Sequence, residues 1–183
     1  IGGEKENVVK KSSKGRKIRT FITKTQETAN ARMGAYLCIS GDGTMWENPN
    51  YFEAVDKNED TGKCVGLTMY LRIDAPKGKK YLWIGPNPFE SFLTQVSAEK
   101  ALDHQYKVAV DFSSRNGFDG VVIPAEEGQI LGACTNRGGN FPDLIKAKRL
   151  RDKKGELSIV DFGGEHKLGG GYGYSKGALI WQK

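Results

Sequence analysis

The sequence predicts a single α+β (α/β) domain over residues 17–183, a mostly antiparallel central sheet flanked by helices, preceded by a basic arm over residues 1–16. Three observations predict it. A chain of 183 residues suffices for one core and falls short of two full domains. Several short stretches alternate apolar and polar residues as half-buried strands do, while others repeat apolar residues at helical spacing. A composition 38% hydrophobic and 27% charged belongs to a globular chain rather than a disordered one, and no apolar run approaches the length of a bilayer span.

Along the chain, "KIRTFITKT" (17–25) carries Ile18, Thr20 and Ile22 at strand period. "QETANARM" suits a short helix, and "GAYLCIS" a strand ending at the turn Gly41 to Gly43. The Asn-, Asp- and Gly-rich piece "TMWENPNYFEAVDKNEDTGK" reads as a long surface connection with Trp46, Tyr51 and Phe52 beneath it. Two strands follow, "KCVGLTMYLRI" and "KKYLWIG", joined by "DAPKGK" as a hairpin.

From Pro88 to Gly117, Phe92, Val96, Leu102, Tyr106, Ala109 and Phe112 fall near helical spacing, and Pro88 with Glu90 suits a first turn. Within that run Val108, Val110 and Phe112 also alternate, so "YKVAVDF" admits two readings. As a strand it would pair with "VVIPA" across the loop "SSRNGFDG". As a helix, the preferred reading, it stops at Gly117, and a strand apolar on both faces begins at Gly120. Beyond a polar loop, "FPDLIKAKRLRDKKG" is expected to be a helix with Pro142 at its start and Gly155 at its end. "ELSIVDF" then reads as a strand, "GGEHKLGGGYGYSKG" as a glycine-heavy loop, and "ALIWQK" as the terminal strand.

The formal charge of +6 invites a polyanionic partner. Much of the excess lies in "KKSSKGRKIR" (Lys10–Arg19), a candidate nucleic-acid contact, and in "KAKRLRDKK", whose charges suit a solvated helix face. Cys38, Cys64 and Cys134 are too far apart for a zinc knuckle or a disulfide framework, so reduced thiols are expected. With only His104 and His166 available, a histidine-rich metal site is not expected, and each histidine reads first as a packing or surface residue. The opening Ile1-Gly2-Gly3 does not read as a signal peptide, and the expected location is cytoplasmic, with no membrane partner.

In order, these elements resemble the GNAT superfamily of acyl-coenzyme A-dependent N-acetyltransferases. The resemblance is carried by the hairpin "VGLTMYLRI" and "YLWIG", by "AVDFSSRNGFDGVVI" and by the closing "FGGEHKLGGGYGYSKGALIW". It implies a GNAT-like order of elements and transfer of an acetyl group from acetyl-coenzyme A to a small-molecule or protein amine, with no metal. It further implies strand-edge contacts from Ile84 and Gly85, and a lysine, Lys79, Lys80 or Lys100, balancing phosphate charge. Glu126 would be the amine's general base, its pKa raised by burial, and Tyr172 or Tyr174 would protonate the departing thiolate. Read without the resemblance, Glu126 is a solvated loop carboxylate and the tyrosines pack on the last strand. The segment from Gly85 to Ala101 has no Gly-x-Gly and places Glu90 and Glu99 where anion-binding amides belong.

Two other functions fit the residues. "LRIDAPKGKKYLWIG" and "GFDGVV" are similar to pieces of mono-ADP-ribosyltransferase toxins, which would make Arg19 the NAD-binding arginine, Ser40 the supporting serine, and Glu90 or Glu126 the stabilising carboxylate. The third is a non-enzymatic basic module that contacts nucleic acid through Lys10–Arg19, with a strong dependence on salt.

Overall fold

A computed structural model describes residues 6–11, 17–24, 48–88, 90–94, 96–125, 158–169 and 172–183. They form one eight-stranded sheet in the order β1-β2-β3-β4-β5-β6-β8-β7. Its strands are β1 (Glu6–Lys11), β2 (Lys17–Thr23), β3 (Tyr51–Asn58), β4 (Cys64–Asp74), β5 (Lys80–Pro88), β6 (Gly120–Pro124), β7 (Ile159–Gly169) and β8 (Tyr172–Gln182). Neighbours are antiparallel except β5 and β6, which run parallel because a helix returns the chain between them.

That helix, α2 (Ala98–Arg115), follows a single turn, α1 (Glu90–Leu93). Ser97 caps α2 by accepting from the Lys100 N–H, Glu99 lies in its first turn and Arg115 in its last, each complementing the helix dipole. Asn116 closes it, and Gly117 turns the chain out at φ +72°, a conformation that costs glycine little. "YKVAVDF" is therefore helical, and β6 is buried at every position with Val121 and Val122 in cores on opposite faces. The run expected as one helix from Pro88 is broken, since β5 extends to Pro88 and α1 ends before the Ser97 cap.

The expected fold class is corrected here. In place of an antiparallel sheet flanked by helices in a GNAT-like arrangement, the described residues give a mixed sheet with one long helix on one face. Much of the difference comes from polar and glycine-rich segments that are strands. "YFEAVDKN", expected as a surface connection, is β3, with Tyr51, Phe52, Ala54 and Val55 in the core. The late glycine-heavy segment is largely β7 and β8, whose register shifts between Asp161 and His166, and Gly163 and Gly164 take the unusual backbone angles of that bulge. The expected helices in 26–33 and 141–155 and the strand at 34–40 lie outside the described residues. Glu6–Lys11, within the segment read as an arm, is strand β1 on the sheet edge. No helix among the described residues is long and apolar enough to cross a membrane.

The α2 face of the sheet holds Ile22, Phe52, Tyr70, Leu82, Ile84 and Ile123 against Leu102, Tyr106, Ala109 and Phe112 of the helix. The opposite face holds Tyr51, Val55, Met69, Trp83, Val122 and Phe162. Tyr70 is wholly buried on the α2 side, and its hydroxyl has no hydrogen-bond partner among the described residues. Burial, with Asp56 and Asp111 adding to it, raises its pKa well above the ordinary tyrosine value. Because the native phenol holds its proton where the unfolded one has lost it, stability is expected to fall as pH rises past about 10. Tyr70→Phe should flatten that alkaline limb without lowering the melting temperature at pH 7, measured by circular dichroism from pH 7 to 11.

Candidate functional site: the opening between β5 and β6

The parallel β5/β6 pair is joined over three positions only, Tyr81 opposite Gly120, Leu82 opposite Val121 and Trp83 opposite Val122. Beyond them β5 continues through Ile84 to Pro88 in register with β4, and Ile123 and Pro124 of β6 are in register with β8. The two strands part company after Trp83, so among the described residues the β6-facing backbone edge from Ile84 onward has no strand partner. Backbone groups buried at such an edge demand partners, and an extended amide-bearing ligand can supply them as an added strand does.

Ile84 and Gly85, two of the three expected cofactor contacts, stand together at this opening and are both buried. Gly85 is a position of close approach, since a Cβ there would lie 2.7 Å from Cε of Met69 and 3.1 Å from the Trp83 ring. Glycine thus lets those two side chains pack directly onto the strand's backbone.

The structure does not gather the remaining expected residues around this pair. Lys100 is exposed on the first turn of α2, beside Ala101, which packs with Ile18 of β2 and Val65 of β4. The N-terminal half of α2 therefore lies over β2 to β4 rather than over the opening, and the Lys100 N–H is already directed to Ser97 Oγ at 3.3 Å. Lys79 and Lys80 stand at the opposite, closed end of β5. Lys79 lies 3.9 Å from Asp119, while Lys80 donates to the Asn116 carbonyl at 3.2 Å and sits 4.6 Å from the centre of the Phe118 ring. Tyr174 is on β8 opposite His166, with Tyr172 opposite Gly169. Glu126 lies outside the described residues, as do Ser40, Cys38 and Cys134.

Arg19 is committed to Glu59 at 2.9 Å, so the described residues give no observation favouring the NAD reading. Among them, no group of three or more His, Cys, Asp or Glu side chains is placed to hold a metal ion.

Because "YFEAVDKN" is a strand and not a loop, it brings polar groups together that the sequence reading does not pair. On the face away from α2, Glu53 is fully buried and accepts a hydrogen bond from the Tyr51 hydroxyl. At the start of β3, the Lys24 ammonium donates to the carbonyls of Asn48, at 2.8 Å, and Tyr51, and burial lowers its pKa. On the α2 face, Asp56 accepts from Thr20 Oγ1 at 2.6 Å and from Gln105 Nε2 at 3.0 Å, with His104 Nε2 3.5 Å away. Thr20 has one hydroxyl proton and gives it to Asp56, so the 3.0 Å contact between Thr20 Oγ1 and His104 requires Nε2 to be the donor. In sequence the signal was strand alternation in which the acids, three positions apart, fall on opposite faces. No protein-family model matches the chain, and no curated protein matches it.

Proposed function

We propose that this chain is an acyl-coenzyme A-dependent acyltransferase that transfers an acetyl group to an amine, or a degenerate relative of one. The observation that carries the reading is the parallel β5/β6 pair that separates after three register positions. The pantetheine arm of the coenzyme is extended and carries two amides, so it suits a strand edge whose partner has turned away. Ile84 and Gly85 contribute that edge. In the reaction the amine nitrogen attacks the thioester carbonyl, the C–S bond breaks, and the coenzyme leaves as thiolate. By the sequence resemblance, Glu126 takes the proton from the amine and Tyr174 returns one to the sulfur. The capped N-terminus of α2 and its place over β2 to β4 leave the pyrophosphate without the helix-end cradle such enzymes use, with Lys100 as the candidate counter-charge.

Thermal unfolding with and without acetyl-coenzyme A tests the reading. At a hundred times its Kd, a ligand of the native state adds about 2.7 kcal/mol, which raises the melting temperature of a chain this size by roughly 5–11 °C. NAD is expected to give no rise. Gly85→Val, which drives a side chain against Met69 and the Trp83 ring, displaces the strand edge and costs about 1–3 kcal/mol through overpacking, should melt lower and gain nothing from the coenzyme. Absence of any rise in the parent protein at millimolar acetyl-coenzyme A would sink the proposal.

A further inference from the structure

Lys24 follows the last residue of β2 and reaches the start of β3, a pair of strands separated from the β5/β6 opening by β4. Its amine donates to the Asn48 carbonyl at 2.8 Å and to the Tyr51 carbonyl. Both partners are neutral. Among the described residues no carboxylate forms an ion pair with Lys24, and Glu53, two positions beyond Tyr51, accepts from the Tyr51 hydroxyl instead. An ammonium carries three hydrogens, and the two carbonyls take two of them. The third has no acceptor among the described residues. When that hydrogen leaves as a proton, the other two stay on the carbonyls and the lone pair is directed away from both. The residue is half-buried, so solvent still reaches it. Burial also lowers its pKa, which leaves more of the amine neutral at a given pH, and the neutral amine is the nucleophile.

We propose that Lys24 is a nucleophilic lysine that accepts an acyl group from an activated donor, a thioester or an acyl phosphate. The nitrogen attacks the donor's carbonyl carbon, a C–N bond forms, and the nitrogen becomes positively charged while keeping its two held hydrogens. The Asn48 and Tyr51 carbonyls are already in place to stabilise that charge. The C–S or C–O bond then breaks, thiolate or phosphate leaves, and one N–H proton passes to water. The amide product retains a single N–H. It can satisfy one carbonyl where the amine satisfied two, so acylation frees Asn48 or Tyr51 at the start of β3. The assignment goes beyond the coenzyme reading, because an acyl phosphate needs no coenzyme site.

Timed acetylation of the full chain at mildly alkaline pH tests the inference, with acetyl phosphate in one arm and acetyl-coenzyme A in the other. Peptide mass spectrometry gives the initial rate at each lysine. Lys107 on α2 and Lys77 in the turn before β5 are exposed and serve as references. Lys24 should be acetylated severalfold faster than either in both arms, and its advantage should vanish in guanidinium chloride, where the carbonyls no longer hold the amine. Rates equal to those of the references in the folded protein overturn the inference, as does an advantage that persists in the denaturant. Selectivity with acetyl-coenzyme A alone overturns it too, since the preference would then belong to a bound coenzyme. Selectivity with acetyl phosphate sustains it even where acetyl-coenzyme A leaves the melting temperature unchanged.

Discussion

Asp56→Ala is expected to lower stability by about 3–5 kcal/mol, the loss typical when one member of a buried charged network is removed. Asp56 is almost wholly buried beneath α2, and its oxygens receive the Thr20 hydroxyl and the Gln105 amide. With the carboxylate gone, those two donors point into a space that no longer accepts them, and each buried donor left unmade carries its own desolvation cost. The local geometry has little freedom to collapse. A Cβ on Gly66 would already stand 2.8 Å from Asp56 Oδ2 and 3.2 Å from Gln105 Nε2, while Gln105 is tied on its other side to the Leu67 carbonyl at 3.2 Å. At about 2–4 °C per kcal/mol, the melting temperature should fall by roughly 6–20 °C. Asp56→Asn keeps the volume and one acceptor and should lose about 1–2 kcal/mol. Urea unfolding followed by circular dichroism measures both, and a loss below 1 kcal/mol for Asp56→Ala would mean that the cluster does not tie the N-terminal half of α2 to β2 and β3.

The elements legible in the sequence were those whose apolar period and boundary residues agreed. β4 and β5 were clear because dense apolar runs flank a turn containing Pro76 and Gly78. The C-terminal half of α2 was legible because Asn116 and Gly117 stop a helix well, although Val108, Val110 and Phe112 also alternate. β3 escapes a reading of the sequence for the opposite reason. Its Glu53, Asp56 and Asn58 resemble a polar loop until partners are supplied, and those partners come from Tyr51 within the strand and from Thr20 and Gln105 far along the chain. Composition assigns "GGEHKLGGGYGYSKG" to a loop, whereas its described glycines are accommodated in two paired strands with a bulge. At the candidate site, Ile84 and Gly85 could be placed from sequence on the strand "KKYLWIG", their part as ligand contacts being implied by the resemblance alone. The separation of β5 from β6 could not, because it depends on β6 transferring its pairing to β8, nearly sixty residues later in the chain.

Phe112→Ala should be similarly costly, about 3–5 kcal/mol, through loss of packing rather than of polar partners. The ring lies at the centre of the α2 interface, with ring centres of Phe52 at 5.5 Å, Tyr70 at 5.7 Å and Phe118 at 6.0 Å, so it joins β3, β4 and the segment leading into β6. Each aromatic contact contributes about 0.5–1.5 kcal/mol beyond area burial, and the surrounding strands are held in register on both sides, which limits collapse into the cavity. A companion variant tests the helical phase. If 106–112 were a strand, Val108, Val110 and Phe112 would face one core and respond alike to truncation. In α2, Val108 and Phe112 are buried one turn apart while Val110 is only partly buried at the margin, so Val110→Ala should lose no more than about 1 kcal/mol. Because α2 returns the chain from β5 to β6 and thereby sets their parallel pairing, loosening its C-terminal half should also disturb the strand edge at Ile84 and Gly85. Phe112→Ala is accordingly expected to reduce the stabilisation by acetyl-coenzyme A at temperatures where the protein remains folded, and Val110→Ala is expected to preserve it.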